Sequence, residues 1–196
     1  MPLPVGHSLM GYVLRETTPV GRDGARWKML ALFVIVSNLP DLDFLFGFVL
    51  DDPNRFHRHV ASHSIGLSVL VGGACGLYFK FAQGKHFTAY CLTFTAVCFS
   101  HVVLDLFSVD NTYPYGVAMF WPFSDTYLIS PVQLFMSVQK GGDNSSFFRK
   151  FFVEHNLVAA LWELALFVPA LLILKFKKSR ENIAARAASQ TMRLQE

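Results

Sequence analysis

The stretch HFTAYCLTFTAVCFSHVVLDLF, residues 86–107, decides the architecture. It is long enough to cross a bilayer as a helix, for which about 20 mainly apolar residues suffice. Yet near its far end it carries His101 and Asp105. Imidazole and carboxylate are costly near lipid, and where they occur they usually mark a functional site. Four residues apart on a helix, the two lie on one face about a turn from each other.

Other segments repeat the pattern. Apolar runs extend over 5–15, 27–50, 63–81 and 156–176. The first is too short to span alone and reads as half-inserted. The second is interrupted at Asn38-Leu39-Pro40-Asp41, because proline lacks an N–H and disrupts helix geometry. Of 196 residues, 53% are hydrophobic, 15% aromatic and only 16% charged, and the mean hydropathy is +0.37. A soluble domain would carry about 25% charged residues. The fold class expected is therefore all-α, an integral membrane helical bundle. It would have about four transmembrane helices, a short N-terminal helix and interfacial helices. A membrane-embedded domain is expected over 1–178 and a polar cytosolic tail over 179–196. The net charge of +3 is too small to imply nucleic acid as a partner.

Cys75, Cys91 and Cys98 all lie in apolar runs; an odd count in that setting argues against a disulfide framework. The amino terminus has neither a basic n-region nor a small-residue cleavage site, so it does not read as a cleaved signal. Within 108–155, Tyr127–Val138 and Phe147–Val153 are expected to form interfacial amphipathic helices, with the whole connection either covering the site or resting on the membrane.

Lysine and arginine set the orientation. If segments alternate direction, Arg22/Arg26/Lys28, Lys80/Lys85 and Lys175/Lys177/Lys178/Arg180 fall on one side, which the positive-inside tendency makes cytoplasmic. The C-terminus is then cytoplasmic, and the loops around 51–62 and 108–155 face the periplasm.

The polar residues share a level. His7 is fifteen residues from Arg22, Asp41 thirteen from Lys28, His63 seventeen from Lys80 and His101 sixteen from Lys85. At about 1.5 Å per residue, all lie roughly 20–25 Å above the basic boundary, in the outer part of a hydrocarbon layer about 30 Å thick. Glu163, the single acid of the last apolar run, lies lower, about 18 Å up; it is either a structural carboxylate, a ligand or a general base. Asp41 and Asp43 follow Pro40, where an irregular backbone can project both into a cavity; two such close acids repel unless a cation neutralises them. His63 falls at a helix start, with Ser62 or Ser64 placed to cap it or to support a ligand. His57 sits on the preceding loop. Arg58 has a planar fork suited to phosphate or carboxylate, or alternatively to lipid headgroups in general.

The metal-ligand candidates are therefore His7, Asp41, Asp43, His57, His63, His101 and Asp105. Histidine and aspartate without cysteine suit zinc, with manganese or iron as alternatives. Seven candidates exceed one tetrahedral site, so one or two ions are expected. Asp43, Asp105 or Glu163 would take the proton from a metal-activated water, and Arg58 would hold an anionic headgroup. The expected activity is hydrolysis of an ester or phosphoester in a membrane lipid or lipid-linked substrate. A transporter is the alternative, since intramembrane His and Asp also build ion pathways. A non-catalytic scaffold is another.

The order His7-Ser8-x-x-Gly11, Leu39-Pro40-Asp41-x-Asp43, His57-Arg58-x-x-x-Ser62-His63-Ser64, Ser100-His101-x-x-x-Asp105 and Trp121-Pro122-Phe123 resembles the LexA-regulated inner-membrane predicted metal-dependent hydrolases of bacteria. That resemblance implies a multi-helix inner-membrane protein and a hydrolase activity. The same order is more faintly similar to the zinc-dependent phospholipase C and S1-type nuclease fold. This second resemblance implies His7, Asp41, His63, His101 and Asp105 as ligands; a second His-x-x-x-Glu pair after Asp105 is missing, and with it the basis for a third metal.

Overall fold

The computed structural model describes residues 1–54, 61–111 and 113–193, with side chains as far as residue 180. Among these residues the α-helices are α1 (Pro4–Thr17), α2 (Arg26–Asn38), α3 (Phe44–Val49), α4 (Ile65–Gln83), α5 (Phe87–Leu106), α6 (Asn144–Phe151) and α7 (Glu154–Arg193), with 3-10 turns at Val20–Arg22 and Leu39–Asp43. The described residues contain no strand, only two isolated bridges.

Four segments are long and apolar enough to cross a membrane: Arg26–Val49, Ile65–Gln83, Phe87–Leu106 and Glu154–Arg180. Their outward faces carry Leu70, Leu92, Leu161, Ile173 and Phe176, each at least 58% exposed, as a lipid-facing surface demands. α7 continues without a break across position 178.

α4 and α5 form an antiparallel hairpin whose backbones touch at Gly72. A Cβ there would stand 2.0 Å from Thr95 Oγ1 and 2.5 Å from the Cys91 carbonyl oxygen, so glycine is required for this approach; small residues at helix crossings are the usual device in membranes. α1 crosses α2 in the same way, a Cβ at Gly11 meeting the Phe33 carbonyl oxygen at 2.9 Å. Beneath, Phe33, Phe79, Phe94, Val97 and Cys98 build the larger core cluster. Tyr90 ties α5 to the turn before α2, its hydroxyl donating to Asp23 Oδ2 at 2.5 Å. That bond, the first of several, holds the Asp23 carboxyl below its ordinary range.

The basic clusters gather at one end: Lys85 pairs with Asp23 at 3.4 Å and Lys178 with Glu16 at 3.7 Å. His7, His63 and His101 lie at the opposite ends of α1, α4 and α5.

The connection from α5 to α7 departs from expectation in one half. Asn144–Phe151 is helical, started by an Asp143 capping box with Ser146. Tyr127–Val138 is not a helix. Pro131 interrupts it, and its backbone serves other partners: Ser130 N–H donates to the Leu106 carbonyl at 2.9 Å and Leu134 N–H to that of Phe107 at 2.7 Å. The segment thereby satisfies carbonyls at the end of α5, which a helix of its own would not reach.

Candidate metal centre

The break in the second span shapes one wall of the site. After Asn38 the chain winds as a 3-10 turn, in which each carbonyl accepts from the residue three ahead. For Ser37 that residue is Pro40, which has no N–H to give. The Ser37 carbonyl instead meets His101 Nδ1 at 2.8 Å. A carbonyl only accepts, so His101 carries a proton on Nδ1 and turns Nε2, the nitrogen that is a lone-pair donor in the neutral ring, into the cluster.

The same turn separates the two acids. At three residues per turn, positions two apart point about 120° from each other. Asp41 accordingly faces His63 Nε2, its Oδ1 at 3.5 Å, while Asp43 faces the other ring nitrogen, its Oδ2 3.5 Å from Nδ1. Ser62 lies between, donating its hydroxyl to Asp43 Oδ2 at 2.9 Å. The same hydroxyl oxygen lies 3.0 Å from His63 Nδ1, within hydrogen-bond reach. His63 thereby turns Nε2 toward the cluster. Ser64 caps α4, accepting from Leu67 N–H at 3.2 Å. The Ile65 and Gly66 N–H groups donate to the carbonyls of Met119 and Trp121. Trp121-Pro122-Phe123 thus seats the helix start beside His63.

The two imidazoles face each other at 3.3 Å, His63 Nε2 to His101 Nε2. Asp105 Oδ2 stands 3.4 Å from His63 Nε2 and 3.6 Å from His101 Nε2. Asp41 Oδ1 stands 3.5 Å from each nitrogen. Ligand atoms bonded at roughly 2.0–2.2 Å to one tetrahedral zinc lie about 3.3–3.6 Å apart. All five of these distances fall in that interval. His63, His101 and Asp105 are at most 4% exposed.

His7 stacks on His101, ring centroids 3.6 Å apart and 13° from parallel, and points Nε2 at Asp105 Oδ1, 3.6 Å away. Both His7 nitrogens and both Asp105 oxygens are buried without a hydrogen-bond partner. A buried polar group left unsatisfied costs about 1–3 kcal/mol, more when charged, and a cation or proton between these atoms removes the penalty. Two candidate metal-holding groups result, Asp41/His63/His101 and His7/His101/Asp105, the atoms of each lying within 4.8 Å of one another.

Five candidates, His7, Asp41, His63, His101 and Asp105, thus come together from four separate elements. Asp43 is placed behind His63 rather than among the facing atoms. Glu163 is directed elsewhere: its two oxygens accept from Leu3 N–H at 2.6 Å and Gly6 N–H at 2.8 Å, holding the start of α1. His57 and Arg58 lie outside the described residues. Of the two serines expected to cap or support, Ser64 caps and Ser62 supports; Ser37 was not legible as a participant, since its signal is its distance of three from Pro40.

Beside the cluster, and sharing Asp41 with it, is a cavity of about 520 Å³. Its walls are almost wholly apolar, including Leu3, Phe44, Phe48, Phe147 and Phe151; Lys140 is the one lysine or arginine among its lining residues.

A bundle with four membrane-length helices and a buried histidine–carboxylate cluster defines the class: a multi-pass membrane protein with a cluster of side chains that could hold a metal. The chain belongs to the YdjM inner membrane protein family, whose model matches residues 1–182. Its place is accordingly the inner membrane. No curated protein and no solved structure matches the chain.

Proposed function

We propose that this protein is a metal-dependent hydrolase of the inner membrane that cleaves an ester or phosphoester in a lipid-like substrate. The observation that carries this reading is the set of five donor–donor distances of 3.3–3.6 Å among Asp41, His63, His101 and Asp105. Two nitrogens and two carboxylate oxygens with these five separations suit zinc better than harder ions, which prefer octahedral oxygen sets. One ion is favoured over two. The two candidate groups share His101, whose other nitrogen is committed to Ser37, so it serves a single metal. A zinc ion held there supplies Lewis acidity toward an ester or phosphoryl oxygen and toward water.

The protein's own groups have distinct tasks. Asp43, through Ser62, fixes the ring of His63, as the supporting carboxylates of metal-bound histidines do. His7 lies against the outward oxygen of Asp105 and is the base placed to take a proton from the reacting water. The apolar cavity receives the acyl portion of the substrate, and Lys140 at its wall attracts an anionic headgroup. Arg58, next along the chain to His57, remains a second candidate for that headgroup. On the positive-inside rule the centre faces the periplasm and α7 ends in the cytoplasm.

A transport route through the centre would have to cross Phe33, Phe79 and Phe94, whose rings pack 5.1 and 5.9 Å apart on the basic side of the cluster. That floor favours a site open to one side, as hydrolysis requires.

The test is metal quantification on the purified full chain, followed by a screen of lipid phosphoesters with and without chelator. His101→Ala should lose both the metal and turnover. Undiminished turnover by metal-free protein would refute the proposal.

A further inference from the structure

The end of the bundle opposite the histidines holds a second cavity, about 340 Å³ in volume, walled by Arg15, Glu16, Arg22, Arg26, Lys177 and Lys178. Five cations therefore surround one carboxylate. Arg15 is the informative member. It is 6% exposed, and its Nε is buried with no hydrogen-bond partner. Its Nη1 bonds the Glu16 carboxylate, but that group is shared with Lys178 at 3.7 Å. A buried guanidinium is costly unless paired and fully hydrogen-bonded, and its neighbours here are of like sign.

The fold nonetheless builds this arrangement with care. A Cβ at Gly21 would lie 1.9 Å from the Arg15 carbonyl oxygen, so only glycine lets the Val20–Arg22 turn close over the end of α1. Arg22 Nη2 then reaches back to the Glu16 carbonyl at 3.4 Å. From the other side α7 brings Lys177 and Lys178. Three separated parts of the chain thus converge on a concave, polar, cationic pocket at the level where helices leave the membrane.

We propose that this pocket binds a phosphate-bearing anion, with Arg15 as the buried fork and Arg22, Arg26, Lys177 and Lys178 as the rim. Guanidinium donors match phosphate oxygens in a bidentate way. Basic pockets between membrane helices on the cytoplasmic side are suited to anionic lipid headgroups, and a soluble phosphate offers the same chemistry. The site is separate from the metal centre and does not depend on its activity.

The experiment uses the purified full chain in a neutral detergent. Phosphatidylglycerol, phosphatidylcholine and inorganic phosphate are titrated separately, reading bound ligand by native mass spectrometry and Tm by thermal unfolding. Wild type should bind phosphatidylglycerol at least 10-fold more tightly than phosphatidylcholine, with a rise in Tm. Arg22→Gln/Lys178→Gln and Arg26→Gln/Lys177→Gln change exposed residues only, and each pair should weaken that binding at least 10-fold, whereas His63→Ala should leave it unchanged. If inorganic phosphate raises Tm in wild type and not in the paired variants, the source is a soluble phosphate and the site stands. Equal binding of the two lipids with no phosphate effect, or paired variants that bind as wild type does, overturns the proposal.

Discussion

Replacing Asp43 by alanine removes the carboxylate that accepts the Ser62 hydroxyl at 2.9 Å and faces His63 Nδ1 at 3.5 Å. It leaves the Nε2 atoms of His63 and His101 and the oxygens of Asp41 and Asp105 chemically intact. If Asp43 acts by orienting His63, zinc affinity should fall without vanishing. Loss of a supporting partner of this kind typically costs 10–100-fold, or about 1.4–2.7 kcal/mol. His63→Ala removes a donor atom itself and should cost more than Asp43→Ala. The assay is competition for zinc against a chromophoric chelator, on full-length protein in detergent, with the Tm of each metal-free variant as the folding control. Wild-type affinity in Asp43→Ala would refute the orienting role. A loss equal to that of His63→Ala would make Asp43 a ligand, as the sequence reading also allowed.

Three further outcomes follow from the packing and hydrogen bonds. Gly72→Val should destabilise the fold by about 1–3 kcal/mol through overpacking of the α4–α5 crossing, read as a lower Tm, because the Cys91 carbonyl 2.5 Å from the new Cβ cannot move aside. Tyr90→Phe leaves the ring stack intact and deletes the hydroxyl bonded to Asp23, so thermal unfolding should report a loss of about 1 kcal/mol. Glu163→Gln keeps the shape but replaces one of two oxygens that accept α1 N–H groups. Charge-assisted bonds of that kind are worth about 1.5–3 kcal/mol, so Tm should drop while metal content holds; lost metal at unchanged Tm would return Glu163 to the ligand set.

The spans and the convergence were legible because both rest on quantities the sequence carries. Apolar length marks a crossing, and a constant rise per residue converts distance from a basic cluster into height. That conversion placed His7, Asp41, His63 and His101 at one level, where the structure joins them with Asp105. Roles within the cluster were less legible. Whether Asp41 or Asp43 faces Nε2 depends on 3-10 rather than α winding after Asn38, a difference of about 20° per residue. Glu163 is nearly level with the others by height alone, yet azimuth sends it to Leu3 and Gly6. Tyr127–Val138 was misread because its apolar spacing suits a helix, while its backbone is claimed by the carbonyls ending α5.

α1 joins the two sites in one rigid element. Glu163 of α7 grips its start, and Lys178, fifteen residues further along α7, reaches Glu16 near its end. His7 and Arg15 are therefore held in fixed register about 12 Å apart along the axis. At one end a buried imidazole and the Asp105 carboxylate have no hydrogen-bond partner; at the other, a buried guanidinium nitrogen has no acceptor. Hydrocarbon can relieve neither, since it offers no hydrogen bonds. Moving the two groups together would cancel the charges, but a helix pinned at both ends forbids it. The fold instead keeps opposite unmet demands at opposite ends, and the two proposed sites would answer each with an ion of the other sign: a divalent cation among the histidines, and a phosphate among the arginines and lysines.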